Sequence, residues 1–281
     1  MDIATGNKFG GPWTEDKIDI FIKYLNAYLT IMAKQNFKLI YFDGFAGSGE
    51  IESENYNTLI EGVVHKVLGI EHIKKFDIYY LVEINSKKAK VLNNLKNEKF
   101  PNIKNVHISE GDCNVKLKGL ANYLKKNKNY RTLAFIDPYG LEVNWDSLLV
   151  FENLGVDMWI LIPTGGVNRM LKKDGNIKDS WLKKLSLFLG ISEEEIKSYF
   201  YKSEEINTLF GEQNIITKQT KAVNKVLGLY KKQLNTVWSN VSEAYPLKNS
   251  KGSILYHFLL ASNNKTGIKI ANDIIGKELL K

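Results

Sequence analysis

The sequence predicts an α/β protein with a mostly parallel central sheet and a helical segment inserted late in the chain. Between residues 38 and 163, short apolar runs of strand length alternate with amphipathic runs of helical length, the order that builds βαβ units. The first four apolar runs lead into acidic residues with Gly, Asn or Pro within two positions, so the chain turns at the rim where open α/β sheets hold their ligands. Residues 165–238 then carry helical signals only, and a strand-turn-strand pattern returns near the end.

The stretch Trp13 to Met32 places Ile18, Phe21, Leu25, Tyr28, Leu29 and Met32 at helical spacing. Thr14 is its N-cap, and Glu15 and Asp16 suit the positive helix start. Leu39 to Phe42 is a buried strand that passes at Asp43 into a loop containing Gly44, Gly47 and Gly49, where bare backbone admits a close ligand. Glu50 to Asn57 lacks periodicity, and Thr58 to Leu68 reads as a helix with Leu59, Ile60, Val63, Val64, Val67 and Leu68 on one face. Phe76 to Glu83 is the second strand, followed by a helix opened by Asn85 that buries Ala89, Leu92 and Leu95. Val106 to Ser109 is the third strand, ending at Glu110-Gly111-Asp112, and Leu117, Leu120 and Leu124 mark the next helix. Thr132 to Asp137 is the fourth strand, Trp145 to Phe151 a helix, and Met158 to Pro163 the fifth strand.

Within the later helical segment, Trp181 to Leu189, Ser192 to Tyr201 with a Ser192/Glu195 capping box, and Thr217 to Trp238 are predicted helices. Val241 to Leu247 and Ser253 to Ser262 flank a turn at Lys248 to Gly252 and predict a closing hairpin, with a last helix over Gly267 to Leu280. The expected division is a core of residues 1–164 and 240–281 around an insertion of residues 165–239.

Composition narrows the classes. With 44% hydrophobic and 25% charged residues over 281 positions, the chain can bury a full core. No apolar run approaches the roughly 18 residues of a membrane helix. Met1 to Gly11 is polar and Gly-rich, without a signal-peptide core. One cysteine, Cys113, excludes an internal disulfide and fits a reducing cytoplasm. The four histidines are scattered, so no structural metal is expected. The net charge of +8 admits a nucleic-acid partner, but Arg131 and Arg169 are the only arginines and the lysine excess follows an Asn- and Ile-rich composition.

Five parallel strands and a terminal hairpin resemble the Rossmann-like sheet of class I methyltransferases, in which parallel strands are followed by a C-terminal antiparallel hairpin. The resemblance implies S-adenosylmethionine as cofactor. Asp43 and the backbone of Gly44, Phe45, Ala46, Gly47 and Gly49 would hold its amino-acid half. Glu83 would accept from the ribose hydroxyls and Asp112 from the adenine amine, with Cys113 packed nearby. The gap between the Gly loop and Glu83 means that no helix starts at that loop, against the usual dipole assistance. The plainer role for each acid is to end a strand.

Phe135 to Gly140, reading Phe-Ile-Asp-Pro-Tyr-Gly, resembles the Asp-Pro-Pro-Tyr element of methyltransferases that act on exocyclic base amines, with one proline missing. By that resemblance Asp137 orients an amine and takes its proton, Tyr139 stacks on the acceptor and Pro138 lines the pocket. A flipped base is one ligand of this kind; a turn ended by Asp-Pro is the simpler role. Asn168 and Arg169 follow the fifth strand, Arg169 as a fork for phosphate or carboxylate or as a surface residue, Asn168 as a cap or substrate contact. His107 is expected in the core, Trp181 and Trp238 in packing, Cys113 buried, and Lys116, Lys118, Lys125, Lys126 and Lys128 on a solvated face.

Together, Trp13 to Lys17, Tyr41 to Gly47, Phe135 to Gly140, Asn168-Arg169 and Leu255 to Asn263 resemble the three-Cys-motif partner protein family, TcmP, of methyltransferase-like bacterial and phage-associated proteins. The resemblance implies a companion protein bearing a three-cysteine motif. Three expectations follow in order: a methyltransferase, a methyltransferase-fold binding subunit serving that companion without turnover, and a nucleic-acid-binding protein without chemistry.

Overall fold

Helix α1 (Trp13–Met32) forms over the span its periodicity predicts. In this computed structural model, which describes residues 13–52, 59–208 and 211–281, its face of Ile18, Phe21, Tyr24, Leu25, Tyr28 and Leu29 is buried. The expectations for Met1 to Gly11 and for residues 53–58 lie outside the described residues.

Strand β1 (Lys38–Asp43) is followed by a short antiparallel pair, β2 (Glu50–Glu52) and β3 (Leu59–Glu61), and by helix α2 (Val63–Leu68). The predicted helix over Thr58 to Leu68 is therefore corrected: it starts at Val63, and Leu59–Glu61 is strand. Next come β4 (Ile78–Glu83), α3 (Ser86–Lys99), β5 (Val106–Glu110), α4 (Cys113–Lys126), β6 (Tyr130–Ile136), α5 (Asp146–Leu149) and β7 (Val156–Ile162). Asn85 caps α3 by accepting from the amides of Lys87 and Lys88, as its position predicts.

The segment after β7 holds α6 (Thr164–Met170), α7 (Asp179–Leu189) and α8 (Glu193–Phe200), the last opened by the Ser192/Glu195 capping box. It then departs from the all-helical expectation. Strands β8 (Tyr201–Thr208) and β9 (Gly211–Lys218) form an antiparallel hairpin before α9 (Ala222–Val237). The predicted helix therefore begins at Ala222 and not at Thr217. Strands β10 (Asn240–Val241), β11 (Tyr245–Lys248) and β12 (Ile254–Ser262) and helix α10 (Lys265–Leu279) complete the chain.

The main sheet runs β5-β4-β1-β6-β7-β12-β10, with β11 also paired to β12. The first five strands are mutually parallel, and β12 is antiparallel to β7, β10 and β11. This is the Rossmann-like sheet of class I methyltransferases, with the late hairpin placing its reversed strand beside the fifth parallel one.

Side chains alternate across the sheet and divide the core into two layers. Leu39 and Tyr41 of β1 join α1, α2 and α10 on one face, while Ile40 and Phe42 join α4 and the helices after β7 on the other. Both faces are covered, which is why the central strands read as continuous apolar runs. Among the described residues the outer strand β5 has no neighbour beyond it, and His107 on it is exposed, correcting the core placement expected from sequence. Trp238 is buried as expected, its indole N–H donating to the Val156 carbonyl at 2.9 Å.

Candidate functional site

Parallel strands end together, so the carboxyl ends of β5, β4, β1 and β6 form one rim. Asp43 closes β1 there and is 2% exposed. Its Oδ1 accepts from the Phe45 amide at 3.0 Å and its Oδ2 from the Tyr41 hydroxyl at 3.1 Å. Burial pushes its pKa up to about 7, against the pull of those two hydrogen bonds; Asp137 adds to the rise and Lys17 opposes it.

The loop after Asp43 is tied to the neighbouring strands. The Gly44 amide donates to the Phe135 carbonyl at 3.0 Å and the Ala46 amide to the Val82 carbonyl at 2.9 Å. Gly44 is needed for close approach, since a Cβ there would lie 2.6 Å from Cys113 Sγ and 3.0 Å from Ile136 Cδ1. Gly47 has φ +63°, a conformation that L side chains rarely adopt, and a Cβ there would meet open space. Its amide donates to Glu83 Oε2 at 2.9 Å, and the Asn85 amide donates to Glu83 Oε1 at 2.8 Å. Glu83, at the end of β4, thus fastens the Gly loop and the turn into α3 at once.

Asp112 lies just past β5 and acts as the N-cap of α4, its Oδ1 accepting from the amides of Asn114 at 2.7 Å and Val115 at 3.3 Å. It does not end the strand itself, as the sequence suggested, but stands exposed beside it. The Gly111 amide donates to the Glu83 carbonyl at 3.1 Å, which brings the ends of β4 and β5 together. Cys113 is buried, and that burial holds its thiol pKa well above the ordinary range, with Asp112 and Asp43 adding to it. Two large apolar side chains stand exposed on this rim, Ile84 at 68% and Val115 at 64%. Sequence reasoning missed both; the signal was an isoleucine directly after a strand-ending acid, where a polar loop residue is usual.

Asp137 follows β6, and its carboxylate is paired with the Lys17 ammonium from α1. Lys17 is 4% exposed, and its ammonium also lies 5.9 Å from the Phe135 ring centroid. Pro138 is buried and Tyr139 half exposed. The Tyr139 amide donates to Glu142 Oε2 at 3.2 Å, and its carbonyl accepts from the Tyr256 hydroxyl at 3.2 Å. Its ring reaches Lys88 of α3, whose ammonium lies 5.3 Å from the ring centroid. Since β1 stands between β6 and β4, this contact joins residues that follow two strands on either side of β1.

Asn168 and Arg169 lie on α6. The Lys218 ammonium donates to the carbonyl and Oδ1 of Asn168, both at 2.7 Å, so Asn168 fastens the β8–β9 hairpin to α6. Arg169 is exposed. Its guanidinium and the carboxylates of Asp137 and Glu142 act on one phenol, Tyr256, whose pKa is raised first by burial, then by Asp137, with Arg169 pulling it down. Tyr256 on β12 therefore links the Asp-Pro-Tyr turn to the neighbourhood of Arg169. Among the described residues no group of three His, Cys, Asp or Glu side chains is arranged to hold a metal, and no helix is long and apolar enough to cross a membrane.

Strand order and rim define a methyltransferase-fold protein. No protein-family model matches the chain, and no curated protein matches it. Among solved structures it is similar to a Legionella pneumophila protein of the DUF519 family, at 17% identity over 92% of this chain and 99% of that one, with a TM-score of 0.44. It is also similar to an S-adenosylmethionine-dependent methyltransferase from Clostridium acetobutylicum, at 10% identity over 89% and 92% of the two chains and a TM-score of 0.37. An rRNA methylase from Streptococcus thermophilus gives 12% identity over 73% and 97%, with a TM-score of 0.33.

Proposed function

We propose that the chain is an S-adenosylmethionine-dependent methyltransferase whose acceptor is an uncharged nitrogen of the exocyclic base-amine kind. The observation that carries this is the placement of Asp43 and Glu83 at the ends of two adjacent strands, and of Asp112 just past the end of a third, beside a Gly loop that has open space at Gly47. The donor set suits the cofactor: carboxylate acceptors for its ammonium, ribose hydroxyls and adenine amine, and exposed Ile84 and Val115 for the faces of a purine. Asp43 and the 44–49 backbone would hold the amino-acid half, Glu83 the ribose and Asp112 the adenine edge, with Cys113 packed behind the loop. Glu83 already accepts two amides, and each of its oxygens retains a second lone pair for a hydroxyl. When bound, the cofactor supplies a methyl group already activated on a sulfonium.

The chain's own residues then have to orient an acceptor and remove a proton. Asp137 accepts from the amine and takes its proton, Tyr139 offers a stacking face, and Pro138 closes the wall. Lys17 makes the Asp137 locus electrically neutral as a pair, which favours an uncharged amine over an ammonium. Arg169 and Asn168 stand at the substrate side, Arg169 suited to a phosphate of a nucleic-acid acceptor. Binding to such an acceptor should weaken steeply with salt.

Calorimetry with S-adenosylmethionine tests the cofactor site. One saturable site is expected, weakened about tenfold or more by Asp112→Ala or Ile84→Asp. Transfer of radiolabelled methyl to nucleic acid tests the chemistry, and Asp137→Ala should retain cofactor binding while losing label. No heat with the wild-type protein would sink the assignment.

The engagement of Asp137 by Lys17 and of Tyr139 by Lys88 favours a second reading, a methyltransferase-fold subunit of the TcmP kind serving a three-cysteine-motif companion. Cofactor binding without transfer to any acceptor, together with co-purification of that companion, is its signature.

A further inference from the structure

The opposite rim of the sheet, where the parallel strands begin, carries a cavity of about 590 Å³. It is lined by α1 through Tyr28 and Met32, by Phe37 before β1, by Arg131 and Thr132 of β6, by Asp157 of β7 and by Lys265 at the start of α10. Seven residues of β6 separate the two rims, roughly 20 Å.

Three features mark this cavity as built to receive a ligand. First, Arg131 is held rigidly. Its Nη1 donates to the carbonyls of Lys128 at 3.0 Å and Tyr130 at 2.9 Å, and its Cζ stacks 3.7 Å from the Phe37 ring centroid. Gly155 makes room for it, since a Cβ there would lie 2.5 Å from Arg131 Cδ and 3.0 Å from Nη1. Those contacts use Nη1 alone, and the donors on Nε and Nη2 have no protein acceptor among the described residues. Second, Tyr28 is 4% exposed, and its hydroxyl has no hydrogen-bond partner among the described residues. A buried hydroxyl left unpaired is costly and calls for a polar atom that the protein itself does not supply. Third, the lining charges are Arg131 and Lys265 against Asp157, which leaves a surplus of one positive charge. Asp157 is already engaged, accepting from the Tyr24 hydroxyl at 2.9 Å and the Ser262 hydroxyl at 2.5 Å.

We propose that this cavity is a ligand site for a small organic carboxylate with an apolar body, separate from the site on the carboxyl rim. The free guanidinium donors match a planar monoanion, and Met32, Ile31, Phe37 and Leu154 provide the apolar wall for its body.

The test is calorimetric and NMR titration of the full chain with phenylacetate and indole-3-acetate, with phenylacetamide and inorganic phosphate as controls. Saturable binding of a carboxylate and none of the amide is expected. Arg131→Lys should weaken it about tenfold by removing the fork, while S-adenosylmethionine affinity stays unchanged. Tyr28→Phe, which leaves Arg131 in place and removes only the unpaired hydroxyl, should weaken it by a smaller factor and serves if the arginine variant fails to fold. Absence of saturation by either carboxylate at millimolar concentration overturns the proposal. So does equal binding of amide and acid, undiminished binding by both variants, or binding of phosphate in their place.

Discussion

Replacing Lys17 by Met removes the ammonium that faces Asp137 while keeping an unbranched side chain of similar volume on α1. The Lys17 side chain is 5% exposed and that of Asp137 25%. Deleting one partner of a buried ion pair costs about 3–5 kcal/mol, because the other charge stays buried. Asp137 keeps a quarter of its exposure, so water relieves part of that burden and the loss should fall near the lower end, about 3 kcal/mol. Asp137→Asn should cost more, toward the upper end of that range, since the lysine left unpaired is the deeper of the two. The double variant carries neither charge and should lose only about 1–2 kcal/mol relative to wild type. The assay is a double-mutant cycle on urea midpoints, with unchanged slopes as the check on two-state behaviour. Single losses that simply add in the double variant would refute the view that these residues act as one neutral pair.

The raised pKa of Asp43 makes stability depend on pH. Its folded value of about 7 exceeds the ordinary value of 3.8, so its contribution is complete below about pH 4 and is lost as pH rises through 7, an effect of up to about 4 kcal/mol. Asp43→Asn should flatten the stability profile between those limits, and a profile parallel to wild type in urea melts would contradict it. At Gly44, the added methyl of Gly44→Ala meets Cys113 Sγ at 2.6 Å, and overpacking of this kind costs about 1–3 kcal/mol. Gly44→Ala/Cys113→Ala should recover much of the loss in thermal melts, whereas no recovery would place the strain elsewhere.

The central strands were legible because burial on both faces leaves unbroken apolar runs, and the end of β1 could be read to within one residue because Asp43 and Gly44 end the run abruptly. The hairpin β8–β9 was not, since Lys202, Ser203, Glu204 and Glu205 on one strand and Glu212, Gln213 and Asn214 on the other provide no apolar alternation for a period-two pattern. At Leu59 and Ile60 the opposite failure occurred: two apolar residues in register with Val63, Val64 and Val67 completed a helical face that the chain does not use. The acids of the candidate site were visible as strand ends, but their partners were not. Lys17 carried a signal all the same. It lies four residues before Phe21 and seven before Tyr24, on the buried face of α1, where a lysine needs a buried partner.

The same helix joins the two rims. Lys17 reaches Asp137 at the carboxyl rim, and Tyr28 lines the cavity at the amino rim, about 16 Å further along the axis. Between them Ile18, Ile20, Phe21, Tyr24 and Leu25 are all at most 1% exposed, so the helix cannot shift at one end without repacking the layer beneath it. A ligand that only satisfies Tyr28 and Arg131 in place leaves α1 where it is, and the two sites then bind independently. A ligand that displaces Tyr28 must act on Lys17 through that packed face, and linkage requires the effect to be equal in both directions. The unchanged cofactor affinity expected for Arg131→Lys therefore belongs to the first case, in which the amino-rim cavity is filled and not forced open.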